Sequence, residues 1–151
     1  FKIDTFKEVV DIHLFGAMRL AEALRPKLAA SGRGSIILIG SMYSYFGSAM
    51  IPAYTAAKTA IVGLTRSLAV GYAAAGDAIR VNCIAPGWIN TEISRRGRED
   101  PVFNPKVMDR LPTKRWSEPD ELAGTAVFLA SPAAKLINGV TIPVDGGYVA
   151  S

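Results

Sequence analysis

The feature that most constrains the fold is an unbroken apolar run, Ile36-Ile37-Leu38-Ile39, bounded by glycines. Successive side chains of a strand point to opposite faces of its sheet, so such a run predicts a strand at residues 35–39 that is covered on both faces. A second run at 79–85 ends at Pro86-Gly87, and a shorter one spans 140–144. Strands covered on both faces are typical of a parallel sheet between two layers of helices.

Helical periodicity separates these strands. Apolar residues recur at three- and four-residue steps over 6–28, Ala and Leu dominate 52–75 after Pro52, and 118–130 again has helical spacing. Residues 88–116 show poor periodicity, and we expect one short helix there, near 106–111. The resulting order, α-β-α-β-loop-α-β, predicts a doubly wound α/β fold with helices on both faces.

Composition excludes several classes of protein. The chain has 151 residues, 50% of them hydrophobic and 20% charged, which is enough for one globular domain. No apolar run approaches the about 18 residues of a membrane span, and the net charge of +4 is scattered except where Arg95, Arg96 and Arg98 cluster. Such a cluster is typical of a solvated loop, so no membrane or nucleic-acid partner is expected. With Cys83 the only cysteine and His13 the only histidine, we expect no zinc site and a reducing, cytoplasmic location.

Tyr54-x-x-x-Lys58 is the first motif that could take part in catalysis. Residues four apart lie on one face of a helix, so the phenol and the ammonium share the same space. A tyrosine with an ordinary pKa near 10 is a poor base at neutral pH, and a neighbouring cation favours its ionised form. The same spacing also occurs on ordinary amphipathic helices, and context has to decide between the two interpretations.

That context comes from the ends of the predicted strands. Ser41 follows the first strand and precedes Tyr54 by 13 residues, and the second strand ends in Pro86-Gly87, followed by Thr91. Open parallel sheets place their ligands at the carboxyl ends of the strands, so these polar groups should meet at one edge. There a serine hydroxyl can hold a substrate oxygen while Tyr54 exchanges its proton.

With these residues in place, the chain resembles the short-chain dehydrogenase/reductase family over essentially all of its length. The matching motifs are Gly40-Ser41, Tyr54-Thr55-Ala56-Ala57-Lys58, Arg80-Val81-Asn82-Cys83-Ile84-Ala85-Pro86-Gly87, Thr91, and the tail from Asn138 to Gly147. Two further motifs, Ser41-Met42-x-Ser44 and Leu111-Pro112-x-x-Arg115-Trp116, are similar to those of sugar-acid dehydrogenases that act on gluconate and deoxygluconate.

The resemblance implies roles for individual residues. Ser41 would orient the substrate, Tyr54 would be the general acid/base, and Lys58 would stabilise the phenolate and bind the cofactor ribose. Ile89 and Thr91 would contact the nicotinamide end of NAD or NADP.

Two neighbours complete the expected site. Pro86 and Gly87 belong with the cofactor-binding residues, and Trp88 is a candidate for the substrate pocket.

Two departures from the family pattern bear on function. No glycine-rich phosphate loop is present in the 151 residues, and the chain opens at Phe1 without a Met, so we expect the carboxy-terminal catalytic half of a longer Rossmann-like domain. His13 also occupies the position where the family usually has an Asn that holds a relay water. Two hypotheses stay open for His13, a place in the proton relay or a structural role.

The interpretation that follows is an NAD(P)-dependent oxidoreductase that interconverts a secondary alcohol and a ketone. Residues 1–151 form part of one domain, with 91–116 covering the substrate, and the fragment alone is expected to be inactive. By resemblance, the first helix and helix 52–75 imply a homo-oligomer, a tetramer or a dimer. The alternative is a non-catalytic interaction domain that cannot bind a dinucleotide by itself.

Overall fold

The three strands form one parallel sheet. The computed structural model describes residues 2–151, with β1 at Gly34–Ile39, β2 at Ile79–Pro86 and β3 at Thr141–Val144, in the order β1-β2-β3. The predicted strands are confirmed to within one residue at each end. The sheet register places Ile39 opposite Ile84. All three strands therefore point their carboxyl ends to one edge, as the sequence predicts.

Helices cover both faces of this sheet, which confirms the predicted fold class. They are α1 (Ile3–Val10), α2 (Gly16–Ala30), α3 (Pro52–Ala74), α4 (Arg95–Glu99), α5 (Phe103–Arg110) and α6 (Ala123–Ala130). On one face α2 and α3 pack Ala21 and Ile61 against Leu38 and Val81. On the other face Leu129 of α6 packs against Ile84. The expectation of a single short helix between 88 and 116 is wrong, since α4 and α5 both lie there and α5 begins at Phe103.

Two asparagines attach β3 to the sheet, and one of them, Asn82, is fully buried. The Asn82 amide donates to the Ile137 carbonyl at 2.9 Å, and its oxygen accepts from the Val140 amide at 3.1 Å. Asn138 in turn accepts a hydrogen bond from the Val81 amide at 2.8 Å. A buried polar side chain is tolerated when its hydrogen bonds are satisfied, so Asn82 has the structural role expected of a polar residue in the middle of a strand.

The first helical segment is interrupted by a π turn. Residues Asp11–Phe15 have π-helical geometry between α1 and α2, although the periodicity predicts one continuous helix. The Arg19 guanidinium donates two hydrogen bonds to the Asp11 carboxylate across this turn, and the shorter is 2.7 Å long. A π turn inserts one residue into the helical repeat and so rotates the side chains that follow. His13 lies at its centre.

Several apolar groups stay exposed on the outside of the chain. β1 is an edge strand among the described residues, and its last residue, Ile39, is 51% exposed. Leu20 and Leu24 of α2 beside it are 61% and 42% exposed. An unpaired strand edge with apolar neighbours favours association with another strand. No helix within residues 2–151 is long and apolar enough to cross a membrane.

The small residues of α3 divide between its two sides. Ala56 and Gly63 are exposed, whereas Ala57 is 1% exposed and packs inside its own chain. Ala57 therefore cannot belong to an outer contact of α3, and the predicted oligomer interface would have to use the exposed side.

Candidate active site

The sheet edge brings Ser41, Tyr54 and Lys58 together. Ser41 follows β1, while Tyr54 and Lys58 lie one turn apart in the first part of α3. Pro52 occupies the first position of α3. Proline is well tolerated there because the first N–H groups of a helix have no partner within the helix. The predicted grouping of these three residues is what the structure displays.

A serine-capped turn fixes Ser41. Its hydroxyl accepts from the Tyr43 amide at 3.2 Å, and its own amide donates to the Ser44 hydroxyl at 3.3 Å. The Ser44 hydroxyl in turn donates to the main-chain carbonyl of Lys58 at 2.7 Å. Ser44 thus ties the turn after β1 to α3 and sets the position of Ser41 relative to Tyr54.

Sequence reasoning quoted Ser44 only as part of a family motif and missed this positioning role. The spacing Ser41-x-x-Ser44, a capping pattern, is the signal that could have indicated it.

Lys58 is buried, and its position is set by β1. The side chain is 7% exposed, and Nζ donates to the Ile39 carbonyl at 2.8 Å. The ammonium lies 5.5 Å from the centre of the Tyr54 ring. Burial lowers the pKa of Lys58, because a charged ammonium loses hydration there, while the Cys83 thiol works in the opposite direction.

The phenol of Tyr54 is influenced by burial more than by charge. Burial raises the pKa of Tyr54, and hydrogen bonding from the Ser41 hydroxyl lowers it by less. The phenol is therefore neutral at neutral pH in this arrangement. The net shift of the Tyr54 pKa is upward because burial outweighs the Ser41 hydrogen bond, while the Lys58 ammonium donates to the Ile39 carbonyl.

His13 packs directly against Tyr54. The two rings meet edge to face with their centres 5.2 Å apart. Burial lowers the pKa of His13, and the positive charge of Lys58 lowers it further. The π turn thus presents a neutral imidazole to the catalytic candidate, and π turns of this kind are frequent at functional sites.

The loop after β2 forms the opposite side of the site. Asn90 donates its amide to the Ser117 carbonyl at 2.7 Å, and the Ser117 amide donates to the Trp88 carbonyl at 2.8 Å. These bonds join the two ends of segment 91–116. Within it, the Ser94 hydroxyl donates to the Ile89 carbonyl at 2.7 Å and accepts from the Thr91 amide at 3.0 Å.

A cavity of about 250 Å³ lies between these elements. Its lining is made of residues 39–43, Tyr54, residues 86–89, Thr91, Ser94 and Trp116. Every predicted cofactor- or substrate-binding residue except Lys58 lines this cavity, and Lys58 lines the neighbouring groove along β1 together with His13. Sequence reasoning did not assign Tyr43 or Ser94 to the lining.

Trp88 is the centre of the aromatic wall of this cavity. Its ring meets four others edge to face, with centre distances of 5.1 Å to Trp116, 5.4 Å to Phe103, 5.8 Å to Tyr148 and 6.2 Å to Tyr43. Edge-to-face contacts of this kind hold aromatic rings in defined orientations. Trp88 therefore couples segment 91–116 to the turn that carries Ser41.

Larger open grooves lie elsewhere on the surface. One of about 600 Å³ lies at the amino ends of β1 and β2, and another of about 440 Å³ runs along the edge of β1. Ligands of open parallel sheets bind at the carboxyl ends of strands, so the smaller cavity is the candidate active site. Among residues 2–151, no group of three His, Cys, Asp or Glu side chains could hold a metal ion.

Comparison with known proteins agrees with this geometry. The family model described as enoyl-(acyl carrier protein) reductase matches residues 1–149. The chain belongs to the short-chain dehydrogenase/reductase family. Its motifs, its parallel sheet and the grouping of Ser41, Tyr54 and Lys58 agree with that membership.

Several relatives are named as dehydrogenases of a sugar acid or a polyol. The chain is 40% identical over 149 residues to a 2-dehydro-3-deoxy-D-gluconate 5-dehydrogenase of Bacillus subtilis, covering 99% of this chain and 58% of that protein. It is 37% identical over 146 residues to a galactitol 2-dehydrogenase (L-tagatose-forming) of Cereibacter sphaeroides, covering 95% of this chain and 57% of that protein.

A solved structure of a related dehydrogenase has the same fold as this chain. The chain superposes on a gluconate 5-dehydrogenase from Burkholderia cenocepacia, in complex with NADP and tartrate, with a TM-score of 0.94. The two are 35% identical, and the match covers 100% of this chain and 58% of the other. The chain thus spans less than three fifths of the length of each of these proteins.

Proposed function

We propose that the chain is the catalytic part of an NAD(P)-dependent oxidoreductase that interconverts a secondary alcohol and a ketone on a sugar acid. One observation carries the proposal: Ser41, Tyr54 and Lys58 meet beside a cavity at the carboxyl edge of a parallel sheet. The names of the Bacillus subtilis and Burkholderia cenocepacia proteins support the substrate class.

The proton passes through Tyr54. In the direction of ketone reduction, the neutral phenol donates its proton to the carbonyl oxygen, and burial keeps that proton in place until then. In the direction of alcohol oxidation, the phenolate has to form before it takes the hydroxyl proton. Hydrogen bonding from Ser41 and the charge of Lys58 both favour that anion. The Ser41 hydroxyl also holds the substrate oxygen.

The dinucleotide would bind through Tyr54, Lys58, Pro86, Gly87 and the residues that follow them. Ile89 and Thr91 line the cavity beyond Gly87 and would contact the nicotinamide end. A bound nicotinamide supplies or accepts the hydride. The solved Burkholderia cenocepacia structure contains NADP, and the cofactor proposed for this chain is NAD or NADP.

Segment 91–116 would cover the bound substrate. Its ends are joined at Ser117, and its aromatic residues form the wall around Trp88. A cover of this kind excludes water and strengthens the interactions inside the site. Trp88 would then contact the substrate.

We also propose that His13 takes part in proton transfer. Its ring contacts Tyr54, and a neutral imidazole can both accept and donate a proton through a water. The competing hypothesis, a purely structural His13, is favoured by its partial burial. The pH dependence described in the Discussion separates the two.

A non-catalytic interaction domain remains the second candidate function. It is favoured by the exposed apolar edge of β1 and by the lack of a glycine-rich phosphate loop in the 151 residues. A reading frame that continues upstream of Phe1 into a strand, a glycine-rich loop and a helix would count against it. The cytoplasmic location and the oligomeric state stay predictions.

The proposed function is tested by mutagenesis in the full-length protein. Tyr54→Phe keeps the ring but removes the proton, and kcat should fall at least about 100-fold, the lower end for a positioned acid or base. Lys58→Ala should lose as much activity and also weaken dinucleotide binding. Tyr45→Phe removes the phenol of a half-exposed tyrosine outside the cavity and serves as the matched control. Near-normal turnover by Tyr54→Phe would contradict the mechanism.

A further inference from the structure

The candidate cavity is lined without a charged side chain. All thirteen residues that line it are neutral, and the neighbouring ammonium of Lys58 is already directed to the Ile39 carbonyl. A sugar acid brings a carboxylate into this cavity, and a carboxylate transferred out of water needs a cation or several donors. The inference that follows rests on the proposed function, because it takes a sugar acid as the ligand of the cavity.

Arg98 is a cation held beside this cavity, although it is not one of the residues that line it. It lies on α4, and Nη2 donates to the Thr91 carbonyl at 3.3 Å, so its guanidinium is held beside a residue of the lining. Its Nε is buried and has no hydrogen-bond partner within residues 2–151. No carboxylate of the described chain forms an ion pair with it. By contrast, Arg95 pairs with Glu92 at 2.8 Å and Arg115 with Glu121 at 2.6 Å.

The position of Arg98 is set by packing of α4 on the aromatic wall. A Cβ placed on Gly97 would lie 3.2 Å from the Phe103 ring and 3.7 Å from the Trp116 ring, so the helix sits closely against both. The wall contains a second buried donor without a partner, Nε1 of Trp88. One unsatisfied N–H in the wall and another on the helix that packs against it favour a ligand that accepts hydrogen bonds.

We propose that Arg98 is the anion-binding residue of the cavity and makes the site select acidic ligands over neutral polyols. A guanidinium binds an oxyanion through charge-assisted hydrogen bonds, often two parallel ones. The oxyanion is the carboxylate of a sugar acid or a phosphate of the dinucleotide. The solvated loop expected around Arg95, Arg96 and Arg98 thus holds one arginine with a separate role.

The experiment compares Arg98→Gln with Arg96→Gln in the protein with all the sequence that its gene encodes. Arg96 is an exposed arginine on the same helix and outside the cavity, so its variant controls for the loss of one positive charge. Both of the chain's tryptophans, Trp88 and Trp116, line the cavity, and their fluorescence reports binding without turnover. D-gluconate, galactitol and NADP⁺ are titrated separately, and kcat/KM is measured for both substrates.

Arg98→Gln should weaken gluconate binding and lower kcat/KM for gluconate by about 10- to 100-fold, with galactitol little changed. Arg98→Lys, which keeps the charge but loses the paired geometry, should fall between wild type and Arg98→Gln. If the oxyanion is a phosphate of the dinucleotide, NADP⁺ affinity falls instead and the two substrates are affected equally. Either pattern supports the proposal.

Unchanged binding of gluconate and of NADP⁺ in Arg98→Gln would overturn the assignment of Arg98, as would an equal loss in Arg96→Gln. Failure of the proposed function looks different, because wild-type protein would then turn over neither substrate. In that case the fluorescence titrations still decide the role of Arg98.

Discussion

Gly87 lies at the closest backbone approach behind the candidate site. Its amide donates to the Val144 carbonyl at 3.0 Å, and a Cβ added to it would lie 2.6 Å from both Cα and Cβ of Asp145. Asp145 is itself held in place, because its carboxylate accepts from the amides of Gly147 and Val149 at 3.0 and 2.8 Å. The atoms that an alanine would meet therefore belong largely to backbone that cannot swing away.

The cost of Gly87→Ala follows from that distance. Ordinary carbon–carbon contacts begin near 3.4 Å, so β2 and the turn after β3 would have to separate by about 0.8 Å. Overpacking of this kind destabilises by about 1–3 kcal/mol, which corresponds to a fall in Tm of about 2–12 °C for a protein of this size. Because Gly87 also lines the cavity, dinucleotide binding should weaken too.

Thermal and urea denaturation, followed by far-UV circular dichroism, measure the effect in the protein with all the sequence that its gene encodes. Gly71→Ala is the matched control, since Gly71 lies in α3 with nothing within 4 Å of an added Cβ. It should stabilise by about 0.4–1 kcal/mol, because alanine loses less backbone freedom on folding. A Gly87→Ala protein that melts at or above the wild-type temperature would refute the reasoning.

Three further outcomes are expected. If His13 is in the relay, the rate profile should show an acidic limb below pH 6.5 that His13→Asn removes, because burial and Lys58 lower the pKa of His13 from 6.5. A pH–rate profile that is unchanged in His13→Asn would instead indicate a structural role for His13. The lowered pKa also means that the unfolded state binds more protons than the folded state. The contribution of His13 to stability is therefore present above about pH 6.5 and is lost as the pH falls through the pKa of the folded state. The 151-residue chain alone should bind NAD⁺ or NADP⁺ no tighter than roughly millimolar, since it lacks the phosphate-binding loop, and calorimetry that gave micromolar affinity would contradict this. Light scattering at micromolar concentration should detect a homo-oligomer, and a monomer would count against the contact predicted for α3.

Sequence reasoning went furthest where chemistry is local. The spacing of Tyr54 and Lys58 places them on one helical face, and the apolar run before Ser41 identifies the strand that precedes the site. The hydrogen bond from Ser44 to α3 and the role proposed for Arg98 could not be found in this way. Each depends on a partner distant in sequence, the Lys58 carbonyl for one and the aromatic wall for the other.

What the sequence by itself determined is the layer order and the sheet edge at which the polar groups meet. Hydrophobic runs and helical periodicity depend only on neighbouring residues, so they predict strands, helices and their alternation. Tertiary structure decided the protonation of the site. The π turn brings His13 against Tyr54, and burial raises the pKa of the phenol although a lysine lies one turn away. Desolvation and the direction of the Lys58 ammonium depend on what packs around the site, and no spacing along the chain encodes that.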